Sequence, residues 1–160
     1  MSPTRAVGAP PVYRSKTIAT WVALLGGSVG LHRFYLYGFR DIAGWLFVVP
    51  TFVGGYGVQR MRLLGADDHL AWVLIPLLGL TLAIAMLSAI LYGLTPDDRW
   101  NARFNSAGPP HLTGWAAVIG VATALIVGGG VLMATIAFSA QRYFEYQAEQ
   151  AQGSSTRPTQ

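Results

Sequence analysis

The chain has 160 residues, of which 52% are hydrophobic and only 11% charged, whereas soluble domains carry about 25% charged residues. With a mean hydropathy of +0.42, this argues against a soluble globular domain and for an integral membrane protein. The net charge of +4 does not point to nucleic acid, because the basic residues cluster at the edges of apolar segments; the absence of cysteine excludes disulfides, thiolate nucleophiles and cysteine metal sites.

Residues 1–16 form a basic N-terminal tail, with Arg5, Arg14 and Lys16 among Pro3, Pro10 and Pro11, and read as mobile. The first apolar segment runs from about Thr17 to Leu31. It follows a long polar stretch and leads into His32-Arg33-Phe34-Tyr35 rather than a small-residue cleavage site, so it is expected to be retained. It is short for a helix that needs about 20 residues to cross. Lys16 and Arg33 could snorkel from its ends, and a re-entrant or half-crossing segment is the alternative.

A second span covers about Phe39 to Val58, with Pro50 expected to kink it and Gly54, Gly55 and Gly57 softening its far end before Arg60 and Arg62. Asp67-Asp68-His69 then opens a helix, an acid being favourable there. The third span, about Leu70 to Leu94, contains no charged residue and carries Pro76. Thr95-Pro96-Asp97-Asp98 reads as a helix start with Thr95 as cap. The following Arg99, Trp100, Arg103 and Phe104 predict a short amphipathic helix lying in the membrane interface. Thr113 is expected to cap a fourth span, about Trp115 to Ala140. From Gln141 the helix is expected to leave the membrane for about two turns, and the Gln-, Ser- and Thr-rich tail from Gln147 reads as disordered.

The predicted fold is an all-α integral membrane protein with four transmembrane helices in two hairpins and an interfacial helix between the third and fourth. Its parts are the tail 1–16, a hairpin 17–64, a second hairpin 65–140 with its loop at 95–114, and the extension 141–160. If both termini are cytoplasmic, that side holds Arg5, Arg14, Lys16, Arg60, Arg62, Arg142 and Arg157, against Arg33, Arg40, Arg99 and Arg103 opposite. The excess favours that orientation.

Tyr13-Arg-Ser-Lys-Thr-Ile-Ala-Thr-Trp21, Gly26-Gly-Ser-Val-Gly30, His32-Arg-Phe-Tyr-Leu-Tyr-Gly38 and Gly54-Gly55 together resemble the TM-two domain family, over about residues 13–62. The resemblance implies a pair of transmembrane helices joined by a short turn, and a bacterial member with a two-helix C-terminal extension in the inner membrane. Its eukaryotic members typically have an acidic residue where this chain has His32. Many members also carry an acid late in the second helix, where Arg60 and Arg62 stand here.

Candidate sites are few. His32, Arg33, Phe34, Tyr35 and Gly38 form the turn, where Arg33 and His32 would meet a lipid phosphate or a partner's acid, or where Arg33 simply snorkels to set helix depth. Arg40 and Asp41 read as a local pair at a helix start. Asp67, Asp68 and His69 have metal-capable side chains, but three adjacent residues converge poorly on one ion, and capping is the plainer role, as for Asp97 and Asp98. His111 has no legible role. Small-residue stripes are the stronger signal: Gly26 and Gly30; Ala85, Ala89 and Gly93; Ala116, Gly120, Ala124 and Gly128. Such stripes let helices approach closely in lipid. No catalytic residue, cofactor site or metal site is legible. Enzyme is the weakest class; Gly128-Gly129-Gly130 lies within an apolar helix, the wrong context for a phosphate loop. The expected function is that of a structural or regulatory interaction module acting through helix packing and lipid contacts. Its expected partners are membrane lipids and either a second copy or another membrane protein, with no nucleic acid. The alternative is an oligomeric channel or small transporter subunit.

Overall fold

The computed structural model describes residues 13–106 and 108–155, with side chains as far as 152. The described residues are helical, with no strand among them. The helices are α1 (Lys16–Gly26), α2 (Leu31–Tyr37), α3 (Ile42–Leu64), α4 (His69–Leu94), α5 (Asp97–Phe104) and α6 (Trp115–Ser155). Among them α3, α4 and α6 are long and apolar enough to cross a membrane. Their outward surfaces carry large exposed apolar side chains such as Ile42, Val73 and Ile126, an exposure that fits a membrane-embedded protein. The proline-rich stretch with Arg5, and Arg157, lie outside the described residues.

α1 is 11 residues long, roughly 16 Å. Ser15 caps it, its hydroxyl accepting from the Ile18 amide. The helix stops in the glycine run: residues Gly27–Val29 tighten into a 3-10 turn, and Gly30 takes the left-handed conformation at φ +73°. α1 descends along the C-terminal half of α4. The Lys16 ammonium donates to the Thr95 carbonyl at 2.8 Å, Ala23 packs with Met86 and Ala89, and a Cβ on Gly27 would lie 2.8 Å from that of Ala85.

α2 then climbs back. His32 sits beside Tyr92 (ring centroids 5.8 Å), Leu36 clusters with Ala19 and Trp100, and Tyr37 reaches Phe104 at 6.0 Å. α1 and α2 are therefore a hairpin whose two open ends lie at the same end of the bundle, beside α5. In place of one continuous helix over residues 17–31, the chain forms α1, the 3-10 turn and the start of α2. The glycines release the helix, and the freed backbone groups find partners inside the protein: Gly30 N–H donates to Gly27 O at 3.0 Å, and the Thr51 hydroxyl donates to Ser28 O at 2.5 Å.

α3, α4 and α6 form the bundle. α3 continues through Pro50 and packs on α4 through Gly54 and Gly57, against Leu78 and Leu74. Arg60 closes this pair by a two-pronged bond to Asp68, at 2.8 and 3.0 Å. α6 runs antiparallel to α4: Gly93 faces Val121, Met86 faces Gly128, and Gly79 faces Thr135.

Four local expectations are corrected. Thr95 does not cap α5; its hydroxyl donates back to Leu91 O at 2.6 Å, closing α4 instead. Thr113 does not cap α6, because Asp97 takes both its amide and its hydroxyl. α5 does not present its apolar face to lipid: Trp100 is 1% exposed, covered by Tyr92, Phe104 and the Arg14 backbone. The chain from Gln147 is helical to Ser155. Glu, Gln and Ala there are good helix formers, Gln147 bonds Tyr143 one turn back, and Glu149 reaches His69 on α4.

Candidate functional site

The turn motif is built inward. His32 is 1% exposed, with its ring edge-on to Phe47 at 5.1 Å and its Nδ1 without a hydrogen-bond partner. Arg33 turns to Asp41, with Nε 2.6 Å from the carboxylate, and lies over the Tyr37 ring at 5.1 Å. Asp41 thus pairs with Arg33 rather than with the neighbouring Arg40, and Arg40 is exposed. The Arg33 guanidinium accordingly holds the Asp41 carboxyl below its usual range. Phe34 stacks on Phe39 and meets Trp45 edge-on, and the Tyr35 hydroxyl accepts from the Ser15 amide at 3.0 Å. Gly38, at φ +83°, turns α2 into α3. These side chains are spent on holding the hairpin, which leaves Arg40 as the solvent-facing cation of the turn.

At the same end, the chain entering α1 is strapped under α5. Arg14 N–H donates to the Asn105 side chain at 2.9 Å. Its carbonyl accepts from Trp100 Nε1 at 2.8 Å and from Asn105 at 3.2 Å. Lys16, with a side chain 3% exposed, meets Asp97 at 2.5 Å. The Tyr13 hydroxyl meets His111 Nδ1 at 2.6 Å, and Asn101 holds the His111 backbone on both sides. The ammonium of Lys16, then Thr113, hold the Asp97 carboxyl well below the usual range, and burial lowers His111. Asp98 is exposed. The pairings of residues 13–16 with α5 and the loop after it were not legible, because those partners are more than eighty residues away and no local pattern links them.

The small-residue stripes are only partly as predicted. Ala85, Ala89 and Ala124 are fully buried, and Gly93, Gly120 and Gly128 sit against Val121, Thr20 and Met86. On α6 the inward residue of the first turn is Ala117 rather than Ala116, which is exposed and gives its carbonyl to Trp21 Nε1. Gly26 and Gly30 do not share a helical stripe, because the 3-10 turn separates them. Gly27, not singled out from sequence, makes the close contact with Ala85.

The far end of the bundle holds a cleft of about 470 Å³ between the start of α4 and α6, lined by His69, Trp72, Ser139, Arg142, Tyr143 and Tyr146. The Arg142 guanidinium lies over the Trp72 ring at 5.4 Å and the Phe138 ring at 5.3 Å. Glu145 pairs with its Nη1, while its Nε is buried without a hydrogen-bond partner. His69 packs on Trp72 at 4.3 Å and reaches Glu149 at 3.3 Å. Of the three metal-capable residues expected to cap α4, Asp67 is exposed, Asp68 stands at the N-cap position and binds Arg60, and His69 faces this cleft. From sequence, Arg142 enters only in the count of basic residues and in the helix continuation, not as a site residue. The signal was there: an arginine just past an uncharged apolar run, followed by Tyr-Phe-Glu-Tyr.

No family model, curated protein or solved structure matches the chain.

Proposed function

We propose that this chain is a bacterial inner-membrane protein, related to the TM-two domain family, that works without catalysis as a packing and lipid-contact module. On this reading it has three full crossings, α3, α4 and α6, and one re-entrant hairpin, α1–α2. The observation that carries it is the level of the Gly27–Val29 turn. Gly27 meets Ala85, about 15 Å along α4 from Thr95, and irregular backbone at such depth is tolerated only where protein surrounds it.

Three crossings put the termini on opposite sides, in place of the two cytoplasmic termini expected from four. Arg5, Arg14, Lys16, Arg33, Arg40, Arg99 and Arg103 then share one side, against Arg60, Arg62, Arg142 and Arg157. The excess of basic residues makes the N-terminal side cytoplasmic. A channel formed by one copy is disfavoured. Gly54 and Gly57, at the glycine-rich end of α3, are buried against α4, and the Ser28 carbonyl is already bonded.

The cysteine-free sequence permits a clean test. Single cysteines at Ser2, Phe39, Ser106 and Gln150 are labelled with a membrane-impermeant maleimide in sealed vesicles. Ser2, Phe39 and Ser106 are expected to label from one face and Gln150 from the other. Labelling of Ser2 and Phe39 from opposite faces restores the four-crossing arrangement. The functional half is tested in proteoliposomes and native nanodiscs, where co-purifying lipid and no ion flux above empty liposomes are expected; specific flux overturns it.

A further inference from the structure

We infer that the Arg142 cleft is a binding site for the phosphate of a phospholipid headgroup, in the leaflet at the end of the bundle opposite α5. The inference rests on the lipid-contact reading above and names the place and chemistry of one such contact.

The argument begins with the unspent donor. The Arg142 side chain is 15% exposed. It is flanked by Trp72 and Phe138, and Glu145 takes its Nη1. Its Nε–H is buried and has no acceptor among the described residues. A guanidinium with an unused N–H matches phosphate oxygens in shape as well as charge, and the exposed part of this side chain opens on the cleft. The acids nearby are committed: Glu145 to Arg142 itself, Glu149 to His69. No acceptor among the described residues is left for it, which points to one from outside the chain.

Position selects its source. Residues 115–141 of α6 carry no charged side chain, and Arg142 is the first ionised group beyond them. That is headgroup level if α6 crosses the membrane. Trp72, Tyr143 and Tyr146 give the cleft the amphipathic aromatic walls of a membrane interface. Val73 continues the lining on the apolar side, where an acyl chain leaves the headgroup. At about 470 Å³ the cleft has room for a headgroup and not for a whole lipid.

The test uses the full chain, delipidated in detergent, with native mass spectrometry and thermal unfolding as readouts. Three probes are compared: a phosphatidylglycerol, a diacylglycerol with the same chains but no phosphate, and inorganic phosphate. One phosphatidylglycerol is expected to bind and raise the melting temperature, with diacylglycerol at least tenfold weaker. Arg142→Gln is expected to weaken the phospholipid at least tenfold. Glu145→Gln removes the competing carboxylate and is expected to bind several-fold more tightly, a gain that misfolding does not produce. Equal binding of diacylglycerol overturns the inference, as does an Arg142→Gln protein that binds normally or a Glu145→Gln protein that does not gain. Stabilisation by inorganic phosphate equal to that by phosphatidylglycerol assigns the site to a free phosphate compound and overturns the lipid assignment. None of these failures touches the maleimide topology, so the two readings fall separately.

Discussion

Gly30 and Gly55 are both glycines in apolar surroundings, yet the fold uses them differently. Gly30 has a left-handed φ, and a Cβ there would run into the Gly44 backbone, 3.2 Å from its Cα. Gly55 is in the middle of α3 with nothing within 4 Å of an added Cβ. Gly30→Ala is therefore expected to lower the melting temperature in detergent by several degrees, whereas Gly55→Ala leaves it unchanged or raises it, since alanine is favoured over glycine in a helix by about 0.5–1 kcal/mol. Equal effects of the two changes would show that the turn does not need its left-handed residue. Lys16 is a second decisive residue. Its buried ammonium joins Thr95 O and Asp97, so Lys16→Met strips a carboxylate of its cation and is expected to cost about 1.5–3 kcal/mol, the range for a hydrogen bond to a charged group. An unfolding midpoint within error of the parent would remove Lys16 from the list of structural contacts.

Among the elements, the α1–α2 hairpin and α6 show how far local sequence reaches. The glycine-rich break after Leu25, the short apolar run and the basic aromatic turn were all legible, and a re-entrant segment was one of the two readings they allowed. What holds the turn between α1 and α2 is the Ser28 carbonyl finding Thr51, 23 residues away. Thr51→Val is expected to destabilise by about 1 kcal/mol, the low end of the cost of leaving a carbonyl unpaired, because the Ser28 carbonyl is only partly buried. Thr51→Ser, which keeps the hydroxyl, is expected to restore most of it; indifference to Thr51→Val would detach the turn from α3. On α6, Gly128 faces Met86, with an added Cβ 2.7 Å from its Cβ, while Gly129 and Gly130 face open space. Gly128→Leu is expected to lower thermal stability and Gly129→Leu to be tolerated in lipid. The reverse order would mean that α6 presents another face to α4. The period of the stripe was readable from sequence. Its phase at the first turn, Ala117 instead of Ala116, was not, because both neighbours are alanine and only the packing against α1 and α4 distinguishes them.

At the scale of the whole molecule, the strap under α5 ties stability to pH. His111 is lowered by burial, with Lys16 adding to this and Asp97 opposing it, and Asp97 is lowered chiefly by Lys16. In both cases the unfolded chain takes up its proton more readily than the folded one, so the contribution is present at high pH and lost as pH falls. The loss is expected to begin near the ordinary histidine value of about 6.5 and to deepen below the ordinary aspartate value of about 3.9. Melting temperatures recorded from pH 8 to pH 3.5 check this. His111→Gln is expected to flatten the part between about pH 7 and 5, and an unaltered profile would place the titrating group elsewhere.

What the sequence determined by itself is where this chain lives and most of its punctuation. Scarce charge, long uncharged apolar runs, glycine breaks and proline-acid helix starts are local properties, and each writes directly into backbone conformation or solvent preference. The tertiary structure alone decided that the first apolar segment turns back, that Trp100 faces protein and not lipid, and that Arg142 stands in an aromatic cleft with a donor unspent. Each of those outcomes depends on which distant residue arrives beside which: Thr95 at Lys16, the Arg14 backbone at Trp100, Trp72 at Arg142. Side-chain partners dozens of residues apart leave no periodicity or spacing in a single chain, so only the packed bundle reveals them.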